Sequence, residues 1–155
     1  MDRYSLGLAG IFQGRAVMNP FIKVLTTIGS MASICFGIWH FFVPRVWNWY
    51  SYIDPKATEL IIAVRAINVF FSFSLVLFGA LNMLFILGDK ANRYSIIVML
   101  VATCILWLTR LVLQIVYPQG SINPVLQYGM LIAFIIINVC YLIPLYMVAS
   151  QKNAV

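Results

Sequence analysis

Four long apolar stretches dominate this chain, at residues 21–42, 58–87, 95–116 and 125–148. Each is at least as long as the roughly 20 residues that an α-helix needs to cross the hydrocarbon core of a bilayer. A spanning backbone must satisfy its own N–H and C=O groups, and continuous apolar runs of this length do so as helices. Composition agrees, because 63% of the 155 residues are hydrophobic and only 9% are charged, too apolar for a soluble domain of this length. The expected fold is an all-α integral membrane protein, a four-transmembrane-helix bundle that makes residues 1–155 a single membrane domain. With the spans using most of the chain, no soluble catalytic module is expected.

The connections carry their own punctuation. Asp54-Pro55 and Asn123-Pro124 each put a capping side chain before a proline suited to a first helical position, and Gly88 sits where a helix would stop. Residues 1–20 are expected to lie at the interface rather than to form a cleaved signal, with Tyr4, Leu6, Leu8, Ile11 and Phe12 on lipid and Arg3 and Arg15 on phosphates. If both termini share one side, that side carries Arg3, Arg15, Lys23, Lys90, Arg93 and Lys152, against Arg45 and Lys56 opposite. The positive-inside rule then makes both termini cytoplasmic. The net charge of +6 becomes mostly a contact with anionic lipid, and no nucleic-acid partner is expected, since no basic cluster forms on a soluble face.

Lipid offers no partners to polar side chains, so those within the spans should face protein or a cavity. In the first span Thr26, Ser30, Ser33, Gly37 and His40 recur at steps of three and four, on one stripe. Arg65, Asn68, Ser72, Leu75, Gly79 and Asn82 form a comparable stripe on the second, and Thr103, Trp107, Arg110, Gln114 and Tyr117 on the third. For the small residues and hydroxyls, packing is the ordinary explanation.

Arginine is different, because a guanidinium within a span costs a few kcal/mol on insertion scales. Arg65 lies on the order of 10–15 Å along the second helix from Pro55, and Arg110 lies at similar depth from the same, outer face. His40, Asn68, Gln114, Gln127 and Tyr128 share that half, and the aromatic run after His40 forms an interfacial belt. Glu59 is the one carboxylate near the outer half of a span, and it stands on a different helix face from Arg65. The expectation is an outward-opening polar and basic pocket lined by His40, Arg65, Asn68, Trp107, Arg110, Gln114 and Tyr117. Such a pocket suits an anionic or carbonyl-bearing amphipath such as a lipid head group, a fatty acid or a quinone. The competing expectation is that both arginines snorkel to outer phosphates and His40 donates to a backbone carbonyl.

Other chemistry is narrowed. One histidine rules out bis-histidine haem ligation, and without a carboxylate cluster no zinc or di-iron site is expected. Cys35, Cys104 and Cys140 lie in three different spans with no Cys-x-x-Cys pair, which argues against a disulfide-forming oxidoreductase. No phosphate-binding glycine loop or serine-nucleophile motif is present. The inner half offers only weak polar residues such as Asn82 and Asn138, so no hydrophilic path through a monomer is visible.

The ends of the first and third spans share a pattern, His40-Phe41-Phe42-Val43-Pro44 against Gln114-Ile115-Val116-Tyr117-Pro118, and each is followed by an Ile-x-Pro start to the next helix. Two hairpins related by an axis along the membrane normal would place His40 and Gln114 facing one another. The segment GIWHFFVP, through Gly37, His40, Phe41 and Pro44, resembles the DoxX-like small four-helix membrane proteins, whose first helix often closes with Gly-x-x-His-Phe-x-x-Pro. The resemblance implies a bacterial or archaeal inner-membrane protein, with some relatives serving as membrane subunits of quinone-linked sulfur or thiol redox systems; it carries over no catalytic residues. The aromatic segment 45–54 and the third-span RLVLQIVYP depart from that group's pattern. Sterol-binding proteins of the emopamil-binding type use acidic cavity residues, and this chain has only Glu59 to offer.

The leading functional expectation is a binding or accessory subunit whose outer pocket holds an amphipath or docks a membrane partner or a second copy. One alternative is a membrane subunit of a quinone-linked oxidoreductase, with His40 handling protons and Arg110 anchoring a quinone oxygen. Another is a purely structural partner protein without a ligand.

Overall fold

The computed structural model describes residues 18–88, 91–120 and 123–151. Helix α1 spans Pro20–Val46, α2 Thr58–Leu87, α3 Arg93–Val116 and α4 Pro124–Ala149, with a single 3-10 turn at Trp49–Tyr52 between the first two. There is no strand among the described residues. The four helices hold 27, 30, 24 and 26 residues and are each long and apolar enough to cross a membrane. At 1.5 Å per residue they run about 36–45 Å, more than the roughly 30 Å hydrocarbon core of a bilayer. Of residues 1–20, expected at the interface, 1–17 lie outside those described.

The helix ends follow from local chemistry. Asn123 Oδ1 accepts from the N–H groups of Val125 and Leu126 at 3.1 and 3.4 Å, with Pro124 at the first helical position. Asn19-Pro20 starts α1 in a similar way, Asn19 Oδ1 accepting from Phe21 N–H at 2.9 Å. Asp54-Pro55 behaves otherwise than expected. Asp54 Oδ1 accepts from Lys56 N–H at 2.9 Å and its carbonyl from Ala57 N–H at 2.8 Å, so the pair makes a turn of its own and α2 begins only at Thr58. Gly88 ends α2 as expected: its N–H closes on Leu84 O at 3.0 Å, and a Cβ there would meet the same oxygen.

Helix α1 continues through Pro44 to Val46 rather than stopping before it. Asn48 then takes a left-handed conformation, φ 51° and ψ 42°, which asparagine tolerates better than most residues, and the chain passes into the aromatic 3-10 turn.

The helices gather into two compact units, residues 30–80 and, among the described residues, 18–29 with those from 81 to 151. Within the first, α1 and α2 run antiparallel at close range. A Cβ on Gly79 would lie 2.8 Å from Ser30 O, and one on Gly37 would lie 2.8 Å from Ser72 O. Within the second, the start of α1 meets α4 where Gly29 touches Cys140 and Tyr141, and Asn82 on α2 donates to Thr103 Oγ1 on α3 at 2.7 Å. Helices α3 and α4 form an antiparallel hairpin, for Trp107 meets Phe134 near one end while Arg93 meets Val148 and Ala149 at the other. Arg93 donates through Nε and Nη2 to those two carbonyls at 3.1 and 2.8 Å. It therefore caps the C-terminal end of α4, where orphan carbonyls and the helix dipole both favour a cation.

The polar stripes are buried for most of their length. Thr26, Ser30, Ser33 and His40 on α1, Asn68, Ser72 and Asn82 on α2, and Thr103, Arg110 and Gln114 on α3 are all buried. Arg65 and Tyr117 are exposed instead.

Candidate functional site

Two clusters of polar side chains, one in each unit, contain most of the residues expected at a site. In residues 30–80 the centre is His40. A proline has no N–H, so Pro44 leaves the carbonyl of His40, four residues back, without its helical donor. Asn68 Nδ2 supplies one across the helix pair at 3.1 Å. That bond fixes the amide orientation and turns Asn68 Oδ1 toward His40 Nδ1 at 2.9 Å, so Nδ1 carries the proton and donates. Ser72 Oγ donates back to Asn68 O at 2.7 Å, one turn further along α2. Gly37 lets the two backbones approach at that level. The segment Gly37–Pro44 is thus a reciprocal clamp between two helices, with the imidazole edge-on to Phe71 at 4.8 Å.

The aromatic belt beside this clamp also holds Arg65. Its Cζ lies 5.5 Å from the ring centroid of Tyr50, on the 3-10 turn, in an exposed cation–π contact. The structure places Arg65 at the periphery of its unit, away from the buried face that Asn68 occupies.

The second cluster lies at the connected end of the α3–α4 hairpin and contains Trp107, Arg110 and Gln114. Arg110 is 6% exposed although it lies only six residues, about 9 Å, before the end of α3. Its Nη2 donates to Gln119 Oε1 in the connecting loop, and its Cζ sits 4.6 Å from the centroid of Phe134. Among the described residues no carboxylate pairs with it. One neutral amide and one aromatic face are what balance a buried guanidinium. Four of its five N–H donors are left over from the bond to Gln119.

Gln114, one turn on from Arg110 on the same face, donates through Nε2 to the Gln119 carbonyl at 3.0 Å. Its Oε1 is buried and has no hydrogen-bond partner. Below the arginine, the indole of Trp107 packs on Phe134 with centroids 5.7 Å apart. Asn138 then ties the two helices by donating to Trp107 O at 3.2 Å and Phe134 O at 2.8 Å, leaving its own Oδ1 unpartnered. Tyr117, 72% exposed, is the first residue beyond α3 and takes no part.

Of the seven residues expected to line a site, His40 and Asn68 therefore meet in one cluster, Trp107, Arg110 and Gln114 in the other, and Arg65 and Tyr117 join neither. Gln119, Phe134 and Asn138 were missed as members. Only Gln119 left a signal, for a polar side chain just after Pro118 is well placed to fold back on the last turn of a helix that the proline ends.

The two span ends that look alike in sequence differ locally. His40 reaches across to the next helix, whereas Gln114 turns to its own loop; α1 continues past Pro44, whereas α3 stops before Pro118. Compared with known families, with curated proteins and with solved structures, the chain matches none.

Proposed function

We propose that the protein binds a membrane amphipath by its head group at Arg110, as a binding or accessory membrane protein. The observation that carries this reading is a guanidinium 6% exposed whose hydrogen-bonding partner is a neutral amide from an exposed loop residue. A cation within a span is expensive to keep without a purpose. The bond to Gln119 leaves most of the guanidinium donors free for a carbonyl or anionic oxygen, and an anionic one adds the opposite charge that the amide lacks. Phe134 and Trp107 supply an apolar floor suited to the start of an acyl or prenyl chain. The excess of lysine and arginine on the opposite side supports cytoplasmic termini and an outer-leaflet position for this end of the hairpin, and the DoxX-like resemblance implies a bacterial or archaeal plasma membrane.

The test is a melting experiment in neutral detergent, with and without added phosphatidylglycerol. A ligand that binds the folded state raises its apparent stability by mass action. The midpoint of the parent is expected to rise by about 5 °C or more at saturating lipid, and that of Arg110→Leu to stay unchanged. An equal rise in both proteins removes Arg110 from the site.

A further inference from the structure

We infer that the head group taken at this site carries an O–H donor beside its anionic or carbonyl oxygen, an inference that rests on the reading of Arg110 as the binding group. The observation behind it is the second buried polar group of the cluster. Gln114 is 2% exposed, and its Nε2 is committed to the Gln119 carbonyl, so the amide cannot turn over without losing that bond. Its Oε1 is left buried without a donor. Arg110, one turn away, does not supply one: its polar partner is Gln119 Oε1 and its guanidinium lies over the Phe134 ring.

The two unmet requirements are therefore complementary. Arg110 needs an acceptor and Gln114 needs a donor. A fully ionised carboxylate or a bare phosphodiester offers acceptors alone, which answers Arg110 and leaves Gln114 Oε1 both unpaired and beside negative charge. A head that presents an oxyanion or carbonyl together with a hydroxyl answers both. A glycerol phosphodiester, as in phosphatidylglycerol, has that pair, and the reduced form of a long-chain quinone meets the same two needs through its phenolic oxygens, each of which both accepts and donates. An oxidised quinone, with two carbonyls and no O–H, does not.

The preference is measured by native mass spectrometry of the full chain, delipidated in neutral detergent. Equimolar phosphatidylglycerol and phosphatidylmethanol with the same acyl chains are added together; both carry the phosphodiester charge and only the first carries hydroxyls. The parent is expected to retain about tenfold more phosphatidylglycerol, the order expected when a buried acceptor is or is not satisfied. In Gln114→Leu the ratio falls to about one. A parallel pair, ubiquinol against ubiquinone, identifies the source. Selectivity within the lipid pair alone assigns the site to a lipid head, and selectivity within the quinone pair alone assigns it to a quinol. Equal uptake within both pairs by the parent overturns the hydroxyl requirement while leaving Arg110 as the binding group. No uptake of any of the four probes overturns both readings, and this comparison needs no variant to fold.

Discussion

Leucine in place of Gly37 is expected to destabilise the α1–α2 pair by about 3 kcal/mol, the upper end of what overpacking an interior costs. The first atom of any side chain there would lie 2.8 Å from the backbone carbonyl of Ser72, 2.9 Å from Val76 Cγ2 and 3.0 Å from Leu75 Cβ. A backbone oxygen cannot rotate aside as a side-chain terminus can, so the helices must separate. Their separation also lengthens both bonds between His40 and Asn68, because these lie one turn further along the same contact. In lipid, close approach at small residues is much of what holds helices together, there being no hydrophobic gain in pressing one apolar face on another. Gly129 is the internal control. Nothing lies within 4 Å of a Cβ at that position, so Gly129→Ala is expected to be neutral or slightly stabilising, by about 0.5–1 kcal/mol from helix propensity. Unfolding in a mixed-micelle titration measures both variants on one scale.

Asn68→Leu is expected to cost about 1–3 kcal/mol, through two orphaned groups rather than through volume. The substitution removes the acceptor for His40 Nδ1–H and the donor to the carbonyl that Pro44 leaves open. A double-mutant cycle with His40→Ala separates this account from simple packing. Once His40 is alanine the ring N–H no longer needs a partner, so the combined loss should be smaller than the sum of the single losses. Strict additivity would mean that the two residues are not coupled and that the clamp contributes nothing of its own.

The part of this architecture that periodicity governs was legible in the chain. Spans of the right length and polar residues repeating at three and four follow from the same fact, that lipid satisfies no hydrogen bond, and the buried stripes on α1, α2 and α3 keep that spacing. Periodicity fails where the helix ends. Tyr117 continues the numerical pattern of Gln114, yet it sits at φ −128° and ψ 75°, outside the helix, and so leaves the stripe. Arg65 keeps the helical phase of Asn68, but its long side chain turns to the ring of Tyr50, and no spacing rule foresees the 3-10 turn that puts the ring there. Gln119 belongs to a loop, which has no period at all. Its place just after Pro118 hints that it folds back on α3, but that it meets Arg110 is visible only in the three-dimensional structure.

The His40 segment shows the opposite case, in which a motif was visible and its physical meaning was not. Glycine, histidine and proline at 37, 40 and 44 look like a binding signature when the histidine is considered alone. Considered with Asn68, the glycine sets the helix separation, the proline opens a carbonyl and the histidine completes a two-bond exchange. Each of the three residues is needed for that arrangement, which makes the segment a device for joining helices. Arg110 and Gln114 have no comparable closed arrangement, since one keeps unused donors and the other an unused acceptor. That asymmetry is the reason the functional reading centres on the α3–α4 hairpin.

The most direct test of that reading is native mass spectrometry of the protein released from its own membrane in mild detergent, beside Arg110→Leu and Arg65→Leu. Removing a buried unpaired cation does not threaten folding in lipid, where the charge itself is the expensive element. The account predicts a defined small-molecule adduct on the parent and on Arg65→Leu, whose side chain lies exposed on Tyr50, and its loss from Arg110→Leu. A parent that carries no adduct, or an adduct retained undiminished by Arg110→Leu, would contradict it.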